Sequence, residues 1–232
     1  MTDQITIYGS PVSPYVRKVL AILDMKNVPF RCVPVVPFTA GEDFVKISPM
    51  RRIPVLQQGD FTLPDSTAIA HYLEETCPEP AIYPGDAQGR ARVRWFEEYA
   101  DDHLGRNILF NLFFQRVVRP RVLKEEPDQA LIDEALDVNL PAALDYLERE
   151  VPEGGFIAGD ASVADIMIGA LFRNANWAGW QIDAARWPNM AAYLTRVADI
   201  PSLAKMNALG EALMGTNPRE HQTIVDSQLA AA

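Results

Sequence analysis

Ser13 stands before Pro14-Tyr15-Val16 where a short β-rich run gives way to a helical pattern. That position puts a hydroxyl at the amino end of a helix. Unpaired backbone N–H groups and the helix dipole converge there and favour an anion. No base neighbours Ser13 in sequence, and no Gly-x-Ser-x-Gly elbow with a Ser-Asp-His order is present. The chemistry open to it is hydrogen-bond donation to a bound anion rather than attack on a carbonyl. A local role is equally open, with Ser13 capping the helix that Pro14 begins. Asp65-Ser66 forms a second helix start with the same two readings. Cys32 and Cys77 make no CxxC, and His71, His103 and His221 share no ligand spacing with them, so no metal site is expected. The two thiols read as buried and reduced.

The elements that must position these residues divide the chain in two. Ile5-Thr6-Ile7-Tyr8 is a short strand closed by Gly9-Ser10-Pro11. From Pro14 to Lys26, Val16, Val19, Leu20 and Leu23 fall on one helical face. Phe30 to Val36 is a second strand, and a short helix carrying Phe44, Val45 and Ile47 follows Gly41. Ile53–Gln57 and Phe61–Leu63 read as strands joined by a tight turn at Gln58-Gly59-Asp60. Asp65-Ser66 then opens a helix with Ile69, Ala70, Tyr72 and Leu73. The order β-α-β-α-β-β-α predicts a small mixed sheet flanked by helices over residues 1–78. Residues 78–86, with three prolines and a glycine, have linker composition.

Residues 87–232 read as helical throughout. A long helix runs from 87 to about 118, where Pro120 is expected to end it. A further helix spans about 128–150 with a kink or break at Pro141, and Ser162-Val163-Ala164-Asp165 has the form of a capping box. Two more helices, 188–199 and 201–214, are each entered at a proline, and the polar chain after Gly215 is expected to fray.

The chain has 232 residues and 25.8 kDa, with 48% hydrophobic and 22% charged residues, which is globular composition. A formal net charge of −10 argues against nucleic acid and against an anionic membrane surface as partners. No apolar run approaches the ~20 residues of a membrane helix. MTDQITIYGS lacks a basic segment followed by an apolar stretch, so no signal peptide is expected and the cytoplasm is the expected location.

Four motifs together carry a resemblance. Pro11–Lys18, PVSPYVRK, resembles the active-site turn of the thioredoxin-like fold, with Ser13 and Val16 where a glutaredoxin has cysteines. Arg51–Leu56, RRIPVL, resembles that fold's cis-proline strand, and Leu63–Leu73, LPDSTAIAHYL, resembles the acidic-Ser helix start of glutathione transferases. The box at Ser162–Asp165 falls where that family's helical domain has one. In this order, over about residues 4–214, the chain resembles the cytosolic glutathione S-transferases, closest to the serine-type tau-like and bacterial members. Neither a cysteine in the turn nor a Ser-Ser-Cys run is present, which weighs against omega-like reductase and zeta-type isomerase readings.

The resemblance implies a thioredoxin-like N-terminal domain followed by an all-helical C-terminal domain with an electrophile pocket. It implies glutathione as co-substrate and a homodimer. Ser13 would hold the glutathione thiolate, with Ser10 as its rival. Ile53-Pro54 would offer backbone to the cysteinyl part as an added strand. Arg52 would face the glycyl carboxylate, and Asp65 and Ser66 would hold the γ-glutamyl end. Arg106, Phe110, Phe113, Phe114 and Trp177 would line the pocket for a small hydrophobic electrophile. Other glutathione chemistry (peroxidase, dehalogenase or ether-cleaving lyase) keeps the same glutathione site, and a non-catalytic binding or regulatory protein keeps only the fold.

Overall fold

The computed structural model describes residues 4–230. Its strands and first helices follow the expected order: β1 Ile5–Tyr8, α1 Pro14–Met25, β2 Phe30–Val33, α2 Glu42–Ile47, β3 Val55–Gln58, β4 Phe61–Pro64 and α3 Ser66–Thr76. The four strands lie in the order β2-β1-β3-β4, with β1 parallel to β2 and antiparallel to β3. Two strands are shorter or later than the sequence pattern. β2 stops at Val33 because Pro34 follows, and β3 begins only after the cis Ile53–Pro54 peptide. Gly59, with φ of 59°, makes the two-residue turn between β3 and β4.

Two compact units result, one of residues 1–82 with 201–232, the other of residues 83–200. In the first, α1 is buried without interruption from Val16 to Leu23. The sequence pattern marks only one apolar face. The rest is covered by α3 and by α9, Pro201–Leu213, a helix expected to belong with the helical domain. The chain after Gly215 does not fray over the described residues. It forms α10, His221–Ala230, with His221 and Val225 buried and Gln222 Nε2 donating to the Cys32 carbonyl at 3.1 Å. That two-residue buried face is too short to stand out in a polar sequence.

The second unit is helical. α4, Ala87–Glu98, runs directly into a wider, π-type helix over Tyr99–Leu123. Pro120 does not end it as expected. The helix continues three residues past the proline, and the stop comes at Lys124, whose φ is 60°. α5, Gln129–Glu134, and α6, Leu140–Glu150, are separated by a π-type turn over Ala135–Asn139, the interruption expected near Pro141. α7, Val163–Trp177, starts at the Ser162–Asp165 capping box, and α8, Pro188–Ala198, starts at its proline. The Asp165 carboxylate is fully buried and accepts from Ile157 N, Ser162 N and the Tyr193 hydroxyl at 3.1, 2.9 and 2.6 Å. A buried carboxylate needs that many donors to offset lost hydration.

Candidate functional site

The sheet register gathers the glutathione-facing candidates at one end. Tyr8 pairs with Val55, and Val55 with Pro64. The segment leaving β1 toward Ser13, the segment entering β3 through Ile53-Pro54, and the segment leaving β4 into Asp65-Ser66 therefore meet at the same edge. Gly9 makes the close approach possible. A Cβ there would lie 2.6 Å from Val16 Cγ2, 3.2 Å from Ile53 Cβ and 3.6 Å from Pro54 Cα.

In the first segment, Ser10 N donates to the Val35 carbonyl at 3.0 Å and Ser13 N to the Ser10 carbonyl at 2.9 Å. The two serines differ in what their hydroxyls do. Ser10 is buried, and its Oγ accepts from Val12 N at 3.4 Å. Ser13 is half-buried at the N-cap of α1, yet its side chain makes no cap bond and no other hydrogen bond among the described residues. Beneath the turn lies Arg17, fully buried. Its Nη1 donates to the Pro11 and Val12 carbonyls at 2.8 and 2.9 Å, and its Nε to Asn207 Oδ1 of α9 at 2.9 Å.

The second segment is held by Ser48, which sequence reasoning did not single out. Its buried hydroxyl donates to the Arg52 carbonyl at 2.7 Å and accepts from Arg52 N at 2.9 Å. Arg51 takes a φ of 52°, and the Ile53–Pro54 bond is cis, as the motif implied. The Ile53 backbone N–H and C=O make no hydrogen bond among the described residues, so they are open to a further strand. The Arg52 side chain is exposed and its guanidinium is likewise unengaged among those residues.

In the third segment, Asp65 caps α3. Its Oδ1 accepts from Thr67 N and Ala68 N at 2.9 and 3.1 Å. Its φ of 83° and ψ of 129° are unusual for a residue with a side chain. Ser66 is buried at the first position of the helix, with no side-chain hydrogen bond among the described residues. The fully buried Lys18 donates to Thr67 Oγ1 at 3.2 Å, tying α1 to the same helix start.

The pocket candidates of the helical unit are more scattered. Phe113 is buried and its ring centre lies 6.4 Å from that of Trp177, which is half-buried. Phe114 is also half-buried, Phe110 is exposed, and Arg106 is exposed and paired with Asp102 at 2.9 Å.

The cysteines stand apart from this chemistry. Burial, with Asp226 nearby, pushes the Cys32 thiol up to about 12, so it stays protonated and inert. Cys77 is half-buried rather than buried as expected. No group of His, Cys, Asp and Glu among the described residues could hold a metal ion. No helix among them is long and apolar enough to cross a membrane.

Residues 7–81 match the family model of the glutathione S-transferase N-terminal domain, and residues 113–208 that of the C-terminal domain. A probable glutathione S-transferase of Oryza sativa subsp. japonica, GSTF2, is 28% identical over 211 residues, 88% of this chain and 95% of the relative. Glutathione S-transferase 3 of Zea mays is 31% identical over 159 residues, 66% of this chain and 70% of the relative. The crystal structure of a glutathione S-transferase from Rhodospirillum rubrum superposes with a TM-score of 0.81 at 26% identity, covering 95% of this chain and 99% of that one.

Proposed function

The chain belongs to the glutathione S-transferase family, and from that premise we propose that Ser13 activates the thiol of glutathione for attack on a hydrophobic electrophile. The observation that carries this reading is the uncommitted, half-buried hydroxyl of Ser13 at the head of α1, beside a Ser10 that is buried. A free thiol has a pKa near ~8.5, so little is ionised at neutral pH. Lowering it by about two units takes roughly 2.7 kcal/mol. A hydrogen bond to a charged group contributes about 1.5–3 kcal/mol, and the helix terminus about 0.3–1 kcal/mol. Together they reach the required magnitude.

The rest of the tripeptide has a chemical match at the same edge. The Ile53 backbone pairs with the cysteinyl residue as an added strand. Ser66 and the start of α3 receive the γ-glutamyl carboxylate, Asp65 its ammonium, and Arg52 the glycyl carboxylate. The thiol proton leaves to solvent and the sulfur forms a bond to the electrophilic carbon. In a substitution the leaving group departs with the bonding pair. The aromatic side chains at Phe110, Phe113, Phe114 and Trp177, with Arg106 beside them in sequence, supply the electrophile's binding surface. The active form is a homodimer in the cytoplasm.

A thermal melt with and without glutathione tests the reading. At about 100 times its dissociation constant, a ligand adds about 2.7 kcal/mol. At roughly 2–4 °C per kcal/mol that is a plain rise in Tm. Turnover of an activated chloroarene to conjugate and free halide, set against turnover of an organic hydroperoxide with glutathione to glutathione disulfide and alcohol, then separates conjugation from peroxidase chemistry. Absence of both a melt shift and any turnover defeats the proposal.

A further inference from the structure

We propose that Arg17, anchored by Asn207, is a positioning residue that sets where the Ser13 hydroxyl points; this rests on the reading of Ser13 as the thiol-facing group. A cation inside the fully buried stretch Val16–Leu23 needs a reason, because ionised groups are rarely taken out of water without committed partners. Here the partners are specific. One corner of the guanidinium, Nη1, takes both carbonyls that immediately precede Ser13, those of Pro11 and Val12. The Nε edge is fixed from the other side by Asn207 Oδ1, a residue 190 positions away on α9. The group is therefore a rigid bridge between a helix and two successive peptide planes.

Those planes determine how the chain enters Ser13, whose φ of −72° and ψ of 130° lie outside the helix that follows it. Nothing else on the side chain of Ser13 restrains it among the described residues. Its orientation is thus inherited from the backbone that Arg17 holds. An ammonium at the same position keeps the charge but lacks the planar fork, so Arg17→Lys separates geometry from electrostatics. Asn207→Ala loosens the same bridge without touching the cation.

The measurement is the ionisation of bound glutathione, followed by ultraviolet absorbance of the thiolate across pH, with glutathione affinity taken by calorimetry. It is made on wild type, Ser13→Ala, Arg17→Lys, Asn207→Ala and the double variant Ser13→Ala/Arg17→Lys. Ser13→Ala raises the bound thiol's pKa by about two units, and Arg17→Lys and Asn207→Ala each by about one, a tenfold loss of thiolate at neutral pH. Affinity for glutathione changes little. The double variant matches Ser13→Ala alone, because a misdirected hydroxyl and an absent one are equivalent. A general loss of structure would instead weaken glutathione binding and add to the effect of Ser13→Ala.

The positioning role is overturned if Ser13→Ala moves the pKa while Arg17→Lys and Asn207→Ala do not, or if the double variant is additive. If Ser13→Ala itself leaves the pKa in place, the thiol-facing role of Ser13 fails first and the positioning role falls with it. Should Arg17→Lys not fold, Asn207→Ala decides the question.

Discussion

Ser10 and Ser13 share a turn, yet only Ser13 is partly exposed. Ser10 Oγ accepts from Val12 N, while Ser13 caps nothing. In the proposed role, Ser13→Ala raises the pKa governing kcat/KM by about two units and lowers turnover at neutral pH by up to about 100-fold. The glutathione-induced rise in Tm persists, because the other contacts remain. The two cysteines make a separate residue-scale prediction. A thiol reagent modifies only Cys77 in the folded protein, since Cys32 is buried with its pKa pushed up to about 12. Both react in denaturant, and mass spectrometry of the labelled peptides reads the difference. Ser13, Ile53-Pro54 and Asp65-Ser66 were legible because their types and spacing carry the motif. Ser48 was not. Its two bonds to Arg52 depend on a loop conformation, including a φ of 52° at Arg51, that no local pattern specifies.

At the scale of elements, the strand and helix order was readable throughout residues 1–78, because each segment is short, periodic and bounded by Gly or Pro. The covering of α1 was not. Four residues mark its visible apolar face, whereas the whole of Val16–Leu23 is buried, and the helix that completes the burial is α9. Arg17 and Lys18 gave the one available signal, being cations inside an apolar run. Pro120 misled because the helix stops not at the proline but at Lys124, where the backbone turns left-handed. Gly9 marks the point where β1, α1 and the Ile53-Pro54 segment touch. Gly9→Ala places a methyl 2.6 Å from Val16 Cγ2 and forces these elements apart. Overpacking of this kind costs about 1–3 kcal/mol. A lower Tm and weaker glutathione binding are expected together, read by melts across a glutathione titration.

At the scale of the molecule, buried acids with raised pKa values set an alkaline limit. Burial, then Glu97, raises the Tyr83 phenol, and burial, then Asp165, raises that of Tyr193. Burial, then Tyr146, holds Tyr99 at about 12, as burial and then Asp226 hold Cys32. Their ordinary values are 9.0 for the thiol and 10.0 for the phenols. Above about pH 9 the unfolded chain therefore binds fewer protons than the native one, and stability falls as pH rises. Urea midpoints should decline steadily from about pH 9 to about 12 and be flat below, a loss that salt alone does not reproduce. The first unit is also discontinuous in sequence, residues 1–82 being completed by 201–232. That gives the protein a history as well as a shape. A ribosome adding about 5–20 residues each second delivers Asn207 roughly 10–40 s after Arg17, across the 190 positions between them. Throughout that interval α1 lacks the cover of α9, and the carbonyls before Ser13 lack their fixed anchor. The turn at the centre of the proposed chemistry is made well before the helix that completes it.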